Sequence, residues 1–547
     1  MEEDARWWRR TSVGRNASVT VAGDSAVMTT MVVVGGGHNG LVCAAYLARA
    51  GLAVTVLEAG SETGGCAATV DALDGARVNT CNCDHTMVRT TTIADELDLA
   101  AHGLAYLDVD PQALHVGWDD AAGPAFVQFR DAERTLDALA VTHPTQVAGY
   151  RRYLADATPV ARLLVELTST PPTPGRVLRK LADRKALALP RLLDWSRRSV
   201  VDVLGRYLTD EFLVAGAFTT GPAVWGVAPS TPGTGLGATG IAMRHLVGIG
   251  RPVGGSGALP TALRGALEAA GGVVRTGARV VRVLAEGPRV RGVLLDSGEE
   301  VPADVVVSSI DPRTTVVDWL GPQPPSGAEA MVARWTDRAQ PDGYESKLDA
   351  VVGTLPAFPQ VHDLQERVGP FDPHVPTTTL APSLAAVEAA HAALPSGAVA
   401  ARPMALVNTP SVLDPTMLVG ADHVLSLEVL WTPYAVPGGW AASAEPQRWL
   451  DLLAAQVGPG FAAGVRRWRV VTPEDYERDL GMPRGWAPSF SGGPLAALVG
   501  RDPELTRYAT PVRGLYLTGA GTFPGAGVWG ASGRNAAAVV LADVQRG

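Results

Sequence analysis

The feature that most constrains the fold is an apolar strand that leads through a glycine-rich turn into a helix. Residues 32–46 read VVVGGGHNGLVCAAY, and Gly35, Gly37 and Gly40 occupy the glycine positions of the pattern GxGxxG. In such a turn the first glycine permits the tight bend, the second lets a pyrophosphate approach the backbone, and the third lets the helix pack against the sheet. The free amide groups at the helix N-terminus face the phosphates. The stretch therefore predicts a nucleotide-binding turn.

A second strand completes a βαβ unit. The segment AVTVLE ends in Glu58, eighteen residues after Gly40. A carboxylate in this position can accept hydrogen bonds from both hydroxyls of a ribose. The same glycine pattern recurs as GLGATG at residues 235–240, but there it follows the loop sequence APSTPGT instead of a strand. We therefore predict a nucleotide at residues 32–58 and none at residues 235–240.

Further segments indicate which nucleotide binds. Gly64 and Gly65 follow the second strand, and residues 514–544 read GLYLTGAGTFPGAGVWGASGRNAAAVVLADV, which predicts a strand, a glycine-rich loop and a helix. Residues 250–312 lie between these motifs. Together the three regions make the chain resemble the amine oxidase-like flavoprotein superfamily, and within it the phytoene desaturase/dehydrogenase-related FAD-dependent oxidoreductases.

The resemblance implies an α/β fold, in which an FAD-binding Rossmann-like domain of the glutathione reductase type is combined with an α+β substrate domain. A chain of 547 residues is too long for one core, which agrees with two domains. Both are expected to be discontinuous, and residues 1–27 are expected to form a disordered extension. The expected FAD-binding domain comprises residues 28–115, 246–320 and 505–547, and the expected substrate domain comprises residues 116–245 and 321–504.

FAD is the cofactor that the resemblance implies, with contacts along the whole chain. Gly525 and Gly527 would let the backbone lie against the flavin, and a helix from about Ala531 would point its N-terminus at the pyrimidine edge of the ring. The positive end of a helix dipole favours the negative charge of a reduced flavin. The predicted cofactor contacts are Gly35, Gly37, His38, Asn39, Gly40, Glu58, Ala59, Gly64, Gly65, Cys66, Val280, Val281, Gly519, Ala520, Gly527, Val528 and Trp529.

Residues 78–91, VNTCNCDHTMVRTT, differ from the family pattern close to the expected flavin ring. Where relatives commonly have an aspartate, a glycine and a nearby histidine, this chain has Asn79, Cys81, Cys83 and, further on, His85. We favour small buried thiols that pack beneath the cofactor. Two alternatives stay open. In the first, His85 orients substrate or takes a proton, a task to which an ordinary histidine pKa is suited. In the second, one of Cys81, Cys83 and His85 bonds covalently to the flavin.

Other kinds of site find less support. The four cysteines, Cys43, Cys66, Cys81 and Cys83, contain no CxxC pair, so we expect neither a disulfide framework nor a metal site. No catalytic triad stands out, as expected where a flavin performs the chemistry and the protein supplies orientation and a dry pocket. Lys347, in an expected substrate-domain segment, is a second catalytic candidate that could approach the flavin N5 atom.

The predicted activity is that of an FAD-dependent oxidoreductase that removes hydride from a small organic substrate. The reaction is either a phytoene dehydrogenase-like desaturation of a C–C bond or the oxidation of a C–N or C–O bond. A lipophilic polyene and a smaller polar metabolite both fit. The alternatives are an amine or alcohol oxidase of a biosynthetic pathway, and a non-catalytic flavin-fold protein that binds a lipid or a protein.

Composition limits the partners and the location. A net charge of −9 and a pI near 5.6 argue against a nucleic-acid partner, which requires a concentrated basic surface. No run of about 18 apolar residues is present, so no segment is predicted to span a membrane. The sequence WWRRTS near the N-terminus is not followed by the apolar stretch of an export signal. We therefore expect a cytoplasmic protein.

Residues 176–206 combine basic side chains with leucines at helical spacing. Such a segment could rest on a membrane surface and admit a lipophilic substrate. We favour the other interpretation, a solvated helix face that packs on the substrate domain. The sequence leaves the oligomeric state open.

Overall fold

The computed structural model describes residues 29–81, 83–118, 123–173, 175, 178–179, 182, 187–218, 226–321, 323–487, 489–490 and 502–546 of the 547-residue chain. The predicted disordered extension, residues 1–27, lies outside the described residues. So does part of the segment 176–206 that was considered for membrane contact.

The elements are numbered in chain order within these ranges. The strands are β1 (Thr30–Val34), β2 (Ala53–Leu57), β3 (Thr69–Leu73), β4 (Ala76–Asn79), β5 (Tyr106–Val109), β6 (Ala113–Gly117), β7 (Phe126–Gln128), β8 (Ile249–Pro252), β9 (Val273–Arg275), β10 (Val280–Glu286), β11 (Arg289–Leu295), β12 (Glu300–Pro302), β13 (Val305–Ser308), β14 (Tyr344–Val352), β15 (Thr377–Ala381), β16 (Ala405–Asn408), β17 (His423–Thr432), β18 (Val465–Val471) and β19 (Leu515–Leu517). The helices are α1 (His38–Arg49), α2 (Ile93–Glu96), α3 (Ala132–Thr142), α4 (Val147–Thr168), α5 (Leu189–Trp195), α6 (Val200–Leu204), α7 (Glu211–Phe218), α8 (Thr239–Val247), α9 (Ala258–Ala269), α10 (Glu329–Thr336), α11 (Pro359–Val368), α12 (Leu384–Ala393), α13 (Pro410–Leu413), α14 (Glu445–Gln456), α15 (Phe461–Gly464), α16 (Pro473–Leu480), α17 (Pro503–Arg507) and α18 (Ala531–Val544).

A five-stranded parallel sheet, in the order β19–β13–β1–β2–β9, forms the centre of the predicted nucleotide-binding domain. β1 and β13 are rich in valine and almost wholly buried, as expected of parallel strands that are covered on both faces. In this sheet Met31 pairs with Val305 on one side and Val54 on the other. The strands come from three separate parts of the chain. The sheet confirms the predicted α/β class with a Rossmann-like domain.

Helix α1 lies between this sheet and two further helices. All ten residues from Asn39 to Ala48 are buried. Helices α9 and α18 pack against α1. The approach of α18 is close, because a Cβ atom on Gly533 would lie 2.1 Å from the carbonyl oxygen of Asn39. The helix ends at Arg49, and Gly51 follows with a φ of +88°, the left-handed conformation common after a helix.

The predicted domain boundaries stay a prediction, and contacts cross both of them. At the boundary placed at residue 320, the antiparallel sheet β10–β11–β12 packs with Met331 and Trp335 of α10, which lies beyond it. At the other boundary, placed at residue 115, β6 runs unbroken from Ala113 to Gly117. β6 pairs with β15, which belongs to the second large sheet.

The second sheet has seven strands in the order β18–β14–β17–β16–β15–β6–β7. Side chains alternate between its two faces. On β14, Leu348 and Ala350 enter an apolar core, whereas Glu345, Lys347 and Asp349 project from the opposite face. We call the opposite face the polar face of the sheet. It lies toward the nucleotide-binding domain, where the β3–β4 hairpin packs against it.

Helices between residues 132 and 247 enclose one side of the space between the two sheets. Tyr150, Tyr153 and Trp195 are buried in their shared core, which also contains Tyr344 and Leu430 from the seven-stranded sheet. None of the described helices combines the length and apolar character that are needed to cross a membrane.

Candidate functional site

A cavity of about 870 Å³ connects the carboxyl ends of β1 and β2 with the polar face of the seven-stranded sheet. Ligands of open α/β sheets bind at the carboxyl ends of the strands. Seventeen predicted cofactor contacts, from the turn at Gly35 to the loop that ends at Trp529, line this cavity, and Gly525 is not among the lining residues. Residues more than 450 positions apart in the chain are thus gathered around a single space.

The glycines of the first turn have three different structural roles. Gly35 has a φ of +96°, and a Cβ atom on Gly40 would lie 2.1 Å from the carbonyl oxygen of Gly35. Glycine is therefore required at these two positions by the backbone conformation and by backbone packing, whether or not a ligand is bound. Gly37 differs, because among the described residues no atom other than those of its chain neighbours lies within 4 Å of its Cβ position. The open space beside Gly37 belongs to the cavity, as expected of the position that leaves room for a phosphate.

Glu58 lies at the end of β2 with its carboxylate held in place by the backbone. The N–H of Gly36 donates to Oε2 at 2.7 Å, and the N–H of Gly60 donates to Oε1 at 2.7 Å. A carboxylate accepts more than one hydrogen bond at each oxygen, so a ribose hydroxyl can still be accommodated.

The second glycine pair folds back onto the first turn. The N–H of Gly64 donates to the carbonyl oxygen of Gly36 at 2.9 Å, and Gly64 and Gly65 have φ values of +132° and +55°. A short 3-10 helix, Gly65–Ala67, follows and places Cys66 on the cavity wall. The doublet therefore extends the same site, although its sequence lies outside the GxGxxG pattern.

The C-terminal loop covers the cavity from another side. The N–H of Val88 donates to the carbonyl oxygen of Val528 at 2.9 Å, which ties the loop to the segment after β4. Gly527 has a φ of +101° and lines the cavity just before α18 begins. Gly525 was expected to lie against the flavin as well. A Cβ atom added to Gly525 would instead lie 2.8 Å from the carbonyl oxygen of Phe490, so this glycine packs against the protein backbone.

His38 and Asn39, at the start of α1, add polar atoms to the wall. Nδ2 of Asn39 lies 3.0 Å from Nε2 of His38. Burial lowers the pKa of His38 to about 4. Oδ1 of Asn39 is buried and has no hydrogen-bond partner among the described residues. Buried polar atoms are normally paired, so an unpaired acceptor on a cavity wall fits a ligand that donates to it.

Two carboxyl groups that sequence reasoning missed lie at the other end of the cavity. Glu345 on β14 and Glu428 on β17 occupy the polar face of adjacent strands and are 8% and 3% exposed. Burial raises the pKa of both carboxyl groups above the ordinary value, and the charge of Glu345 raises that of Glu428 further. Oε1 of Glu428 has no hydrogen-bond partner in the part of the chain that the structure describes. For Glu345, the available sequence signal was the alternation of charged residues in GYESKLDAVV, residues 343–352.

Fixed charges surround this end of the cavity. Arg251 forms a buried ion pair with Asp84 at 2.7 Å. Burial acts to raise the pKa of Asp84, but Arg251 and the hydroxyl of Thr377 outweigh it and hold that pKa below its ordinary value. Arg244 also lines the cavity, and its Nη1 atom is buried with no hydrogen-bond partner among the described residues. This end of the cavity is therefore suited to a ligand with polar groups.

His85 does not lie on the cavity wall, although its neighbours Asp84 and Thr86 do. The side chain is fully buried, with Nε2 2.8 Å from the hydroxyl of Ser256 and Nδ1 3.0 Å from the hydroxyl of Tyr106. Burial lowers the pKa of His85 to about 3. The expectation of an ordinary pKa suited to proton transfer is therefore wrong, because the ring is enclosed and both nitrogens have partners.

Lys347 also lies outside the cavity wall. Its ammonium group donates to the carbonyl oxygen of Asn79 at 2.7 Å and forms an ion pair with Asp349, on the same face of β14. Arg469 of β18 pairs with the other oxygen of Asp349. The structure thus uses Lys347 to join the sheet to the end of β4, which is not the approach to flavin N5 expected from the sequence.

Of the three candidates for covalent attachment to the flavin, Cys81, Cys83 and His85, one lies on the cavity wall. Cys81 lines the cavity, whereas Cys83 is 2% exposed with Sγ 3.6 Å from Oδ1 of Asn408. Burial raises the pKa of Cys83 to about 12, so its reactive thiolate form is scarce near neutral pH. Covalent attachment stays a prediction, and the geometry restricts it to Cys81.

The second GxGxxG pattern takes a different structure from the first. Residues 227–234 before it contain no strand, and Gly235–Ala238 is a 3-10 helix that leads into α8. Gly237 and Gly240 line the cavity on its helical side. The pattern therefore contributes to the wall without the strand, turn and helix of a nucleotide fingerprint.

The described part of residues 176–206 includes helices α5 and α6. Leu192 and Trp195 are buried, in accord with packing on the substrate domain, whereas Leu178 and Leu187 are 63% and 87% exposed. Contact of this segment with a membrane stays a prediction.

Comparisons with known proteins match two parts of the chain to known families and nearly its whole length to single relatives. The family NAD(P)-binding Rossmann-like domain matches residues 33–92, and the family Flavin containing amine oxidoreductase matches residues 129–333. Pyridine nucleotide-disulfide oxidoreductase domain-containing protein 2 of Rattus norvegicus is 30% identical over 98% of this chain and 96% of that protein. The lycopene-forming phytoene desaturase of a Paracoccus species is 27% identical over 95% of this chain and 99% of that protein.

Solved structures show the same fold at lower sequence identity. Putrescine oxidase bound to putrescine matches with a TM-score of 0.58 and 16% identity, over 95% of this chain and 100% of that chain. A likeness at this identity is informative about the fold alone.

Proposed function

We propose that this chain, which belongs to the phytoene desaturase-related family of flavin oxidoreductases, binds FAD and removes hydride from an organic substrate. Pyridine nucleotide-disulfide oxidoreductase domain-containing protein 2 is among its relatives. The observation that supports the proposal best is the continuity of the cavity. A single space runs from the glycine turn and Glu58 to the carboxyl groups of β14 and β17.

The residues present fit FAD at the nucleotide end. The space beside Gly37 and the N-terminus of α1 suit the pyrophosphate, and the carboxylate of Glu58 suits a ribose. Val280 and Val281 also line the cavity and follow Ala278, whose N–H donates to the carbonyl oxygen of Glu58 at 2.8 Å, so they would flank the adenosine. Gly527 and the N-terminus of α18 would hold the flavin end. When bound, the flavin supplies the acceptor for the substrate's electrons.

The other end of the cavity favours a substrate with a polar group. A pure hydrocarbon gains nothing from Glu345, Glu428 or Arg244, and burying ionisable groups without a partner is costly. Oxidation of an amine or alcohol removes a proton from N–H or O–H as hydride leaves the neighbouring carbon. A carboxylate on the wall can accept such a proton. We therefore propose oxidation of a C–N or C–O bond, with C–C desaturation as the competing reaction.

Anaerobic mixing with candidate substrates tests the proposal. The purified holoprotein would be mixed with sets of amines, alcohols and polyenes while the visible absorbance of the oxidised flavin is followed. Bleaching by an amine or alcohol is expected, and bleaching by a polyene alone would favour desaturation. Readmission of oxygen, or addition of NAD(P)⁺, then identifies the acceptor that restores the colour. Protein that is colourless and takes up no FAD would refute the proposal.

A further inference from the structure

Two cysteines that are fifteen residues apart in the chain meet on the cavity wall. Cys66 lies in the 3-10 helix that follows Gly64, and Cys81 follows the end of β4. The two thiols are close enough for each to shift the pKa of the other, Sγ of Cys66 also lies 3.7 Å from Sδ of Met482, and neither cysteine is part of a disulfide. Because CxxC spacing is absent, this pair was not predictable from the sequence.

The pairing of the backbone brings the two cysteines together. β3 and β4 form an antiparallel hairpin in which Thr69 lies opposite Asn79. The N–H of Thr80 donates to the carbonyl oxygen of Ala68 at 2.9 Å, which continues the pairing beyond the strands toward Cys66. The two thiols therefore lie at the base of a closed hairpin, and their proximity is built into the fold.

The two thiols differ in their affinity for a proton. The neighbouring thiol of Cys81 lowers the pKa of Cys66, whereas Cys66, burial and the nearby carboxylate of Glu345 raise the pKa of Cys81. A thiolate next to a protonated thiol is the reduced state of a reactive pair. Cys43 and Cys83 are fully buried away from the wall, and burial raises the pKa of each to about 12.

We propose that Cys66 and Cys81 form a dithiol–disulfide couple that exchanges an electron pair with the flavin in the same cavity. This inference rests on the proposed FAD site. In the direction of reduction, the S–S bond breaks as it takes up two electrons and one proton from the reduced, anionic flavin. Cys66 becomes the thiolate, Cys81 becomes the thiol, and the flavin becomes oxidised, so charge and atoms balance. The reverse step reforms the disulfide. The couple thus stores a second electron pair beside the cofactor.

Reductive titration of the holoprotein tests the couple. Wild-type protein, first incubated with excess oxidised glutathione and freed of it, would be titrated anaerobically with dithionite. Because a disulfide is a two-electron couple, as a flavin is, the wild type is expected to consume twice as many electrons per bound FAD as C66S or C81S. C83S is the matched control and is expected to behave as the wild type. C66A and C81A serve as second variants should a serine disturb folding.

A thiol count provides a readout that does not depend on the colour or the activity. Samples are quenched in acid, denatured and labelled with a maleimide, and their intact masses are measured. The oxidised wild type is expected to take up two labels fewer than the reduced protein, with a peptide cross-link between Cys66 and Cys81. An unchanged label count, or equal electron uptake by the wild type and C66S, would overturn the inference while leaving FAD binding intact. Absence of bound FAD would instead refute the proposed function, and the couple with it.

Discussion

The N–H of Gly36 donates a 2.7 Å hydrogen bond to Oε2 of Glu58, so that the turn after β1 is joined to the end of β2. The same carboxylate accepts from Gly60 through its other oxygen. Glu58 therefore has two tasks, since it orders the turn and presents negative charge to the proposed ribose.

Replacement of Glu58 by Gln separates charge from shape. The variant loses charge-assisted hydrogen bonding, and its amide NH₂ group faces a backbone N–H donor. We expect FAD affinity to fall by about 1.5 to 3 kcal/mol, or roughly 10- to 150-fold in Kd. Titration of apoprotein with FAD measures the change. Glu62→Gln, at an exposed position of the following loop, is the control and should leave Kd unchanged. Equal affinities for Glu58→Gln and the wild type would contradict the assignment.

Gly37→Leu tests whether a phosphate lies beside the first turn. Gly37 has a φ of −69° and a ψ of 165°, a conformation open to any residue, and beyond its chain neighbours its Cβ position meets no atom of the residues that the structure describes. The substitution should therefore leave the fold intact while its side chain fills the cavity. We expect apoprotein with a near-normal Tm that retains no FAD, and partial retention in Gly37→Ala. Stoichiometric FAD in the leucine variant would show that the pyrophosphate lies elsewhere.

The nucleotide end of the site was predictable because its signal is local. Gly35, Gly40 and Glu58 act through a turn and a strand end that are close in the chain, and the resemblance to flavin oxidoreductases is confirmed by relatives that span it. The α/β class followed from the same βαβ unit.

The substrate end was not predictable in the same way. Lys347 pairs with Asp349, which lies two residues later on the same face of β14, and so does not reach the cofactor. The pKa of His85 depends on how deeply the packed fold buries its ring. The meeting of Cys66 with Cys81 likewise depends on the register of a hairpin. Sequence spacing carries little information about such contacts, because they form between elements and not within them.

His85→Ala should affect stability and not proton transfer. The ring is buried, and its two nitrogens pair with Ser256 and Tyr106. Loss of one partner from buried hydrogen bonds costs about 1 to 3 kcal/mol for each group left unpaired. We expect a lower denaturation midpoint together with an unchanged rate of flavin reduction by substrate, measured by anaerobic stopped flow well below the new Tm. A large loss of rate in a variant that is fully folded would restore a catalytic role to His85.

The pH dependence of stability should report the buried pair Glu345 and Glu428. Their pKa values are raised in the folded protein by burial, so the folded state holds protons that the unfolded state releases at about pH 4.3. The stability that these carboxyl groups contribute is therefore complete below that pH and is lost as the pH rises through the raised pKa values of the folded state. While one extra proton is held, the slope approaches about 1.4 kcal/mol per pH unit.

Glu428→Gln removes one of these titrations, since its amide is neutral at every pH. We expect the unfolding free energy of the variant, from denaturant titrations between pH 5 and pH 9, to fall less steeply with rising pH than that of the wild type. The control is Glu268→Gln on helix α9, where the carboxylate is exposed and paired with Arg264. That variant should keep the slope of the wild type. Parallel curves for the wild type and Glu428→Gln would mean that Glu428 is already ionised across this range. A carboxylate that pairs with a permanent positive charge in the cavity would behave in this way.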